Sequence, residues 1–157
     1  MIIFHRKASI LSVVLQTLVR KIYTFSDKLR WKSYYSSIIH QFKFFGDNVV
    51  LDYGIQFGGS ENISIGNNVF IGKNAIINAG KGGNITIKEE VAIGANATLI
   101  TWNYGNLNNK SLKRSISKKE VILKDIIIGV GADLGYNVTI NPGIILGDGC
   151  IVAAGSV

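Results

Sequence analysis

Cysteine is almost absent from this chain of 157 residues, which has one, Cys150, and histidine is scarcely commoner, with His5 and His40 alone. A single thiol excludes a disulfide framework and any metal site built on several cysteines. Cys150 also falls on a small, apolar position of the repeat described below, so it reads as core filling rather than as a nucleophile. A lone thiol fits a reducing compartment. Long apolar runs are missing too. The stretch from Ala8 to Val19, about twelve residues, is too short to span a bilayer. It is flanked by Arg-Lys on both sides and has no small-x-small cleavage signal, which argues against a signal peptide. Neither disorder nor low complexity fits, because 47% of the residues are apolar, ample for one core.

Acidic residues are scarce in one region only. Residues 1–45 hold eight basic side chains, from Arg6 to Lys43, against Asp27, whereas residues 46–157 hold nine of each sign. The whole net charge of +7 therefore sits in the first segment. That segment has a helical rhythm: Leu11, Val14, Leu15, Leu18, Ile22, Phe25 and Leu29 recur at spacings of three and four, with Gln16, Arg20, Lys21, Thr24, Asp27 and Lys28 on the other side. An aromatic-rich stretch follows, from Trp31 to Phe45. Residues 1–45 thus read as a basic amphipathic helical segment. One expectation is that it caps the open end of the domain that follows. The other adds peripheral contact with an anionic membrane, which would place the protein in the cytoplasm at the inner face of that membrane. Nucleic-acid binding is not expected, since the basic residues follow a helix without a reading motif.

From Ile65 onward a six-residue pulse takes over: Ile65, Ile71, Ile77, then Ile87, Ile93, Leu99, then Ile122, Ile128, Leu134, Ile140, Leu146 and Val152. Four places after each comes another small or apolar residue, among them Val69, Ala75, Val91, Ala97, Ile126, Ala132, Val138, Ile144 and Cys150. Six residues advance a helix by about 600°, so successive aliphatics would point in three directions and a helix cannot hold the pattern. Hexapeptide periodicity predicts a parallel β-helix, each unit burying its apolar side by stacking on its neighbours. Gly or Asn usually follows the aliphatic (Gly66, Gly72, Gly94, Gly129, Gly135), which predicts a tight bend of positive φ at that place.

The stretch from Ile140 to Val157, with its Ile-Leu-Gly-Asp-Gly-Cys-Ile-Val-Ala-Ala-Gly-Ser-Val ending, resembles the hexapeptide-repeat acyltransferases, closest to the sugar and polysaccharide O-acetyltransferases. The resemblance runs from about Val49 to Val157. It implies a mainly β fold, a left-handed parallel β-helix over residues 46–157 behind the N-terminal α-helical segment. It also implies transfer of acetyl from acetyl-CoA to a sugar hydroxyl, on a surface polysaccharide or lipid-linked glycan precursor, by a homotrimer without a metal. A zinc enzyme on the same fold would need several coil histidines, and residues 46–157 contain none.

Two interruptions break the pulse, at 78–84 and at about 101–121, and insertions in a solenoid map to loops where sites are found. The longer one carries Lys110, Lys113, Arg114, Lys118 and Lys119; it reads either as a solvated loop or as an attractor of anionic ligands. In the enzymes this chain resembles, that loop supplies a histidine as general base, the side chain suited to taking a hydroxyl proton near neutral pH. Here the stretch is Thr101-Trp102-Asn103-Tyr104-Gly105, with Asn103 and Tyr104 at the place of the histidine. Neither Trp nor Asn accepts a proton near neutrality, and Tyr has a reference pKa of about 10. The resemblance implies further site positions: Asn78, which reads equally as a corner residue, toward the acceptor; and Tyr136, Ala154 and Gly155 toward the acetyl-CoA donor, held between neighbouring subunits. Asp133 stands where a donor-side tryptophan is usual. The basic residues and the cap that the resemblance implies after Ala-Gly-Ser-Val are missing from the sequence, which stops at Val157. These departures leave an alternative, a catalytically impaired or truncated β-helical relative with an assembly role.

Overall fold

A computed structural model of the chain describes residues 10–80, 82–105 and 120–157. His5 and the five basic residues between Lys110 and Lys119 lie outside the described residues. The chain divides into two compact units, residues 1–37 and 38–157.

The first unit is built on one helix, α1 (Ile10–Ile38). No Gly or Pro interrupts it, and three of its hydroxyl residues bond within it: Thr24 donates to the Arg20 carbonyl (2.7 Å), Ser26 to that of Tyr23 (2.8 Å) and Ser37 to that of Tyr34 (2.6 Å). Near its end Trp31, Tyr34 and Tyr35 form an aromatic cluster, with ring centroids 5.4 to 5.8 Å apart. A 3-10 turn, Ile39–Gln41, follows.

The second unit is a parallel β-solenoid with three faces. The first face stacks β1 (Phe44–Phe45), β4 (Ile63–Ile65), β7 (Ile85–Ile87), β12 (Ile126–Ile128) and β15 (Ile145–Leu146). The second stacks β2 (Val50–Leu51), β5 (Phe70–Ile71), β8 (Ala92–Ile93), β13 (Asp133–Leu134) and β16 (Ile151–Val152). The third stacks β3 (Gln56–Gly58), β6 (Ile76–Asn78), β9 (Thr98–Ile100) and β14 (Thr139–Ile140). The chain thus makes four full coils and two sides of a fifth. One further pair, β10 (Trp102–Gly105) and β11 (Glu120–Leu123), is an antiparallel hairpin outside the coils.

The pulse residues stack in register, Ile65 on Ile87 and Ile71 on Ile93, then Ile77 on Leu99. All of these are essentially fully buried, as are Val69, Ala75, Val91, Ala97, Ala132 and Val138 at the second inward position. Each buried aliphatic contributes about 1.5–3 kcal/mol over its exposed state, so the repeat itself is the stabilising unit. Cys150 continues the column of Val91 and Ala132 in the last coil and is half-buried.

Three details differ from the sequence reading. Ile122 is not a coil residue: it lies in β11 opposite Asn103, and the count resumes at Ile126, which stacks over Ile85. The pulse also begins earlier, with Phe45, Leu51 and Phe57 in a first coil whose fillers are aromatic; Phe42 packs edge-on against Phe45 and Phe57 at 5.3 and 4.9 Å. Finally, the glycines that follow the aliphatics do not supply positive φ. A Cβ on Gly94 would stand 2.6 Å from the Gly135 backbone, and one on Gly135 would stand 2.5 Å from Ala154 N. They are glycine because the coils touch there. Positive φ belongs two residues later, to Asn68, Asn74, Asn96, Gly131 and Asn137. These asparagines stack as ladders: the Asn74 amide donates to Asn96 (3.4 Å) and Asn96 to Asn137 (3.1 Å).

Candidate active site

Three corners join the faces, and they are not alike. The corner between first and second faces takes four residues in every coil, and so does the one between second and third faces. The third corner, between third and first faces, takes four residues at 59–62 and 141–144 but six at 79–84 and twenty-five at 101–125, so both interruptions leave from it. The two interruptions visible in the sequence therefore stack in space, in adjacent coils.

Asn78 sits at the centre of this corner, as the last residue of β6, paired with Gly58 below and Ile100 above. Gly58 is required beneath it, since a Cβ there would lie 2.9 Å from the Asn78 carboxamide carbon. The Asn78 Oδ1 accepts the Gly80 N–H (2.9 Å) and the Trp102 indole N–H (3.3 Å). Both partners are donors only, so the amide is fixed with its oxygen toward them and its NH₂ directed elsewhere. Asn78 consequently offers donors, not a base.

Thr101, fully buried, anchors the exit of the hairpin. Its hydroxyl donates to the Ala79 carbonyl, and its backbone N–H reaches the Asn78 carbonyl (3.1 Å). Gly83 makes room for it, because a Cβ there would meet Thr101 Oγ1 at 2.6 Å. The return strand is tied by Lys124, whose N–H bonds the Thr101 carbonyl (2.9 Å), and by Asp125, whose Oδ1 accepts the backbone and amide N–H groups of Asn84 (2.8 and 3.2 Å). Both ends of the insertion are thus pinned to the coil beneath.

The hairpin presents its side chains on alternate sides. Trp102 and Tyr104 share one side, their rings meeting edge-on at 5.7 Å, while Asn103 lies on the other and is exposed. Asn103 Oδ1 accepts the Tyr104 N–H (2.8 Å). Of the two residues at the expected base position, only Tyr104 shares a side with the indole that bonds Asn78. The bond between Trp102 and Asn78 is not readable from spacing; the available signal is that each stands where an interruption of the six-residue repeat begins.

Tyr136, Ala154 and Gly155 form a separate group at the corner between second and third faces. The Tyr136 carbonyl accepts the Gly155 N–H (2.8 Å), its side chain is exposed, and Gly155 takes φ 75°. Asp133 lies outward on the second face, between Ala92 and Ile151. Within one chain these residues and Asn78 occupy different edges of the solenoid. Among the described residues no cluster of three or more His, Cys, Asp or Glu could hold a metal ion, and His40 is exposed in the 3-10 turn.

The family profile described as the hexapeptide repeat of succinyl-transferase matches residues 62–101 and 125–157, stopping on either side of the hairpin. The matched stretches, just under half of the chain, are coil residues of the solenoid. No curated protein matches it, but solved structures do. The chain is similar to a maltose O-acetyltransferase from Clostridium difficile 630, at 23% identity and TM-score 0.64, over 74% of this chain and 58% of that one. It is similar to a hexapeptide-repeat-containing acetyltransferase from Vibrio cholerae O1 biovar eltor, complexed with acetyl-coenzyme A, at 25% identity and TM-score 0.67, over 94% and 78%. A galactoside acetyltransferase in complex with coenzyme A gives 29% identity and TM-score 0.67, over 78% and 57%. The chain spans less than two thirds of the maltose and galactoside enzymes. The fold is that of the acetyltransferases.

Proposed function

We propose that this chain is an acetyl-CoA-dependent O-acetyltransferase scaffold whose acceptor is a sugar hydroxyl, on a surface-polysaccharide or lipid-linked glycan precursor, and whose turnover is limited by the lack of a general base. The observation that carries the reading is the third corner, where both interruptions of the repeat leave beside Asn78 and Trp102, in a fold whose similar structures include acetyltransferases with coenzyme A or acetyl-CoA bound.

In the reaction, the acceptor oxygen bonds to the thioester carbonyl carbon, the C–S bond breaks, and the hydroxyl proton ends on the departing coenzyme A thiol. The Asn78 NH₂ suits an acceptor or carbonyl oxygen, since it can donate and its orientation is fixed by two bonds to Oδ1. The backbone of Tyr136, Ala154 and Gly155 is the candidate donor-side surface. Because those residues and Asn78 lie on different edges of one chain, the reading calls for a homotrimer in which one subunit's donor edge faces its neighbour's third corner. No histidine or carboxylate stands at 101–105 to take the proton.

That same gap favours a second reading, a catalytically impaired β-helical protein retained for assembly. The test is acetyl transfer from acetyl-CoA to a panel of sugars by the parent, Tyr104→His and Asn103→His. A well-placed base contributes about 10²–10⁴-fold, so the parent is expected to be slow and Tyr104→His faster by roughly that factor, with Asn103→His gaining less. A parent that already turns over at about 1–10³ per second, unchanged by either histidine, would overturn the reading of the loop. Failure of every variant to bind acetyl-CoA would leave the assembly reading in its place.

A further inference from the structure

Helix α1 presents an apolar stripe that its own unit does not cover. Val14, Leu15, Leu18, Ile22, Phe25 and Leu29 are each 50 to 65% exposed. At about 100° per residue they fall within a band roughly 100° wide. The lysines of the helix lie together, whereas Arg20 falls opposite the band. Lys21, Lys28 and Lys32, spaced by seven and four, run along one margin of the band within about 40° of one another. Arg30 flanks the other margin, its guanidinium over the Trp31 ring at 5.5 Å. The one acidic residue, Asp27, lies away from the band and is paired with Arg30 at 3.4 Å.

We infer that α1 docks on an anionic phospholipid surface, lying along it with the apolar band in the acyl boundary and the lysine margin among the headgroups. Three observations select this occupant. Lysines on the rim of an apolar band reach up to headgroups while their stems stay on apolar surface, whereas lysines opposite the band would face water. A second copy of the helix in a symmetric contact would set the lysine margin beside a like margin, with a single carboxylate per helix to answer it. And no helix among the described residues is long and apolar enough to cross a membrane, so the helix can lie on a bilayer but not span it. This inference is independent of the catalytic reading: it places the solenoid beside lipid whether or not it turns over acetyl-CoA.

The experiment is co-sedimentation of the full chain with phosphatidylcholine vesicles and with vesicles of phosphatidylcholine and phosphatidylglycerol, in about 0.1 M salt. Binding is expected to the anionic vesicles and to weaken as salt is raised. Replacing Lys21, Lys28 and Lys32 together by Gln should lower the partition coefficient roughly 10²-fold. Leu18→Ser with Ile22→Ser should abolish binding while the thermal transition of the solenoid stays in place. No binding to anionic vesicles, or equal binding to neutral ones, overturns the inference. So does a drop in oligomeric state of the Leu18→Ser, Ile22→Ser variant by sedimentation velocity, which would assign the stripe to a second copy.

Discussion

The first and third corners of the solenoid are made from the same repeat and do opposite things. At the first corner each coil turns in four residues, the left-handed position is filled by Asn48, Asn68, Glu90, Gly131 and Gly149, and neighbouring coils hydrogen-bond across it. Asp148 is typical: its carboxylate accepts the Val130 N–H (2.8 Å) and pairs with Lys88 (3.3 Å), one coil to the next but one. At the third corner the chain takes four, six, twenty-five and four residues in successive coils, and the longest excursion is tied down by the buried Thr101 and by the Asn84–Asp125 bonds. Regular stacking requires only that the strands stay in register, and the strand ends on either side of the third corner do so whatever leaves between them. One corner carries repetition, the other can carry chemistry at no cost to the core.

The strongest way to test this division is to damage the stack itself. Ile87, buried between Ile65 and Ile128, should lose about 2–5 kcal/mol on substitution by Ala, read from urea unfolding. If the loss is below about 1 kcal/mol, the stack is not the stabilising unit. A finer cut separates the two kinds of glycine. Gly94→Ala pushes a Cβ into backbone of the next coil and should cost about 1–3 kcal/mol. Gly131→Ala meets nothing within 4 Å and carries only its φ of 64°, so it should cost about 1 kcal/mol, with Gly131→Asn close to neutral. Equal costs would mean that close approach does not set the glycine positions.

At the third corner, Thr101→Val keeps the shape but leaves the Ala79 carbonyl without its hydroxyl donor. About 1–2 kcal/mol should be lost, and acetyl transfer by the Tyr104→His protein should fall with it; a variant that loses stability but keeps full transfer would detach Thr101 from the site. The smallest effect is expected at Asp148. The Val130 N–H, and then Lys88, hold its carboxyl below the ordinary 3.8. A folded-state pKa depressed in this way stabilises above the unfolded value and is lost as pH falls through the folded one. The Tm difference between parent and Asp148→Asn should therefore be constant near neutrality and shrink below about pH 4. A difference that grows on acidification would refute the assignment.

The coils were legible because stacking imposes its period on the residues: Ile65, Ile87 and Ile128 must repeat if they are to bury one another. The first coil was less so, as Phe45 and Phe57 fill it with rings where aliphatics mark the rest. The role of Gly94 was misread because local sequence reports backbone preference and says nothing of the distance to a coil more than forty residues away. At the site, Asn78 could be singled out at its corner, but its bond to Trp102 spans 24 residues and depends on the hairpin folding back over Gly80. Ile122 was drawn into the pulse by spacing alone, which cannot tell a hairpin strand from a coil.

The pinning of both ends of the insertion, Thr101 to Ala79 and Asp125 to Asn84, has an engineering meaning. The two anchors form a socket whose geometry is fixed by the coil beneath, so the segment between them can be exchanged for another of different length and chemistry without disturbing the stack. The third corner is a mounting point, and a segment carrying its own histidine could be grafted there whole.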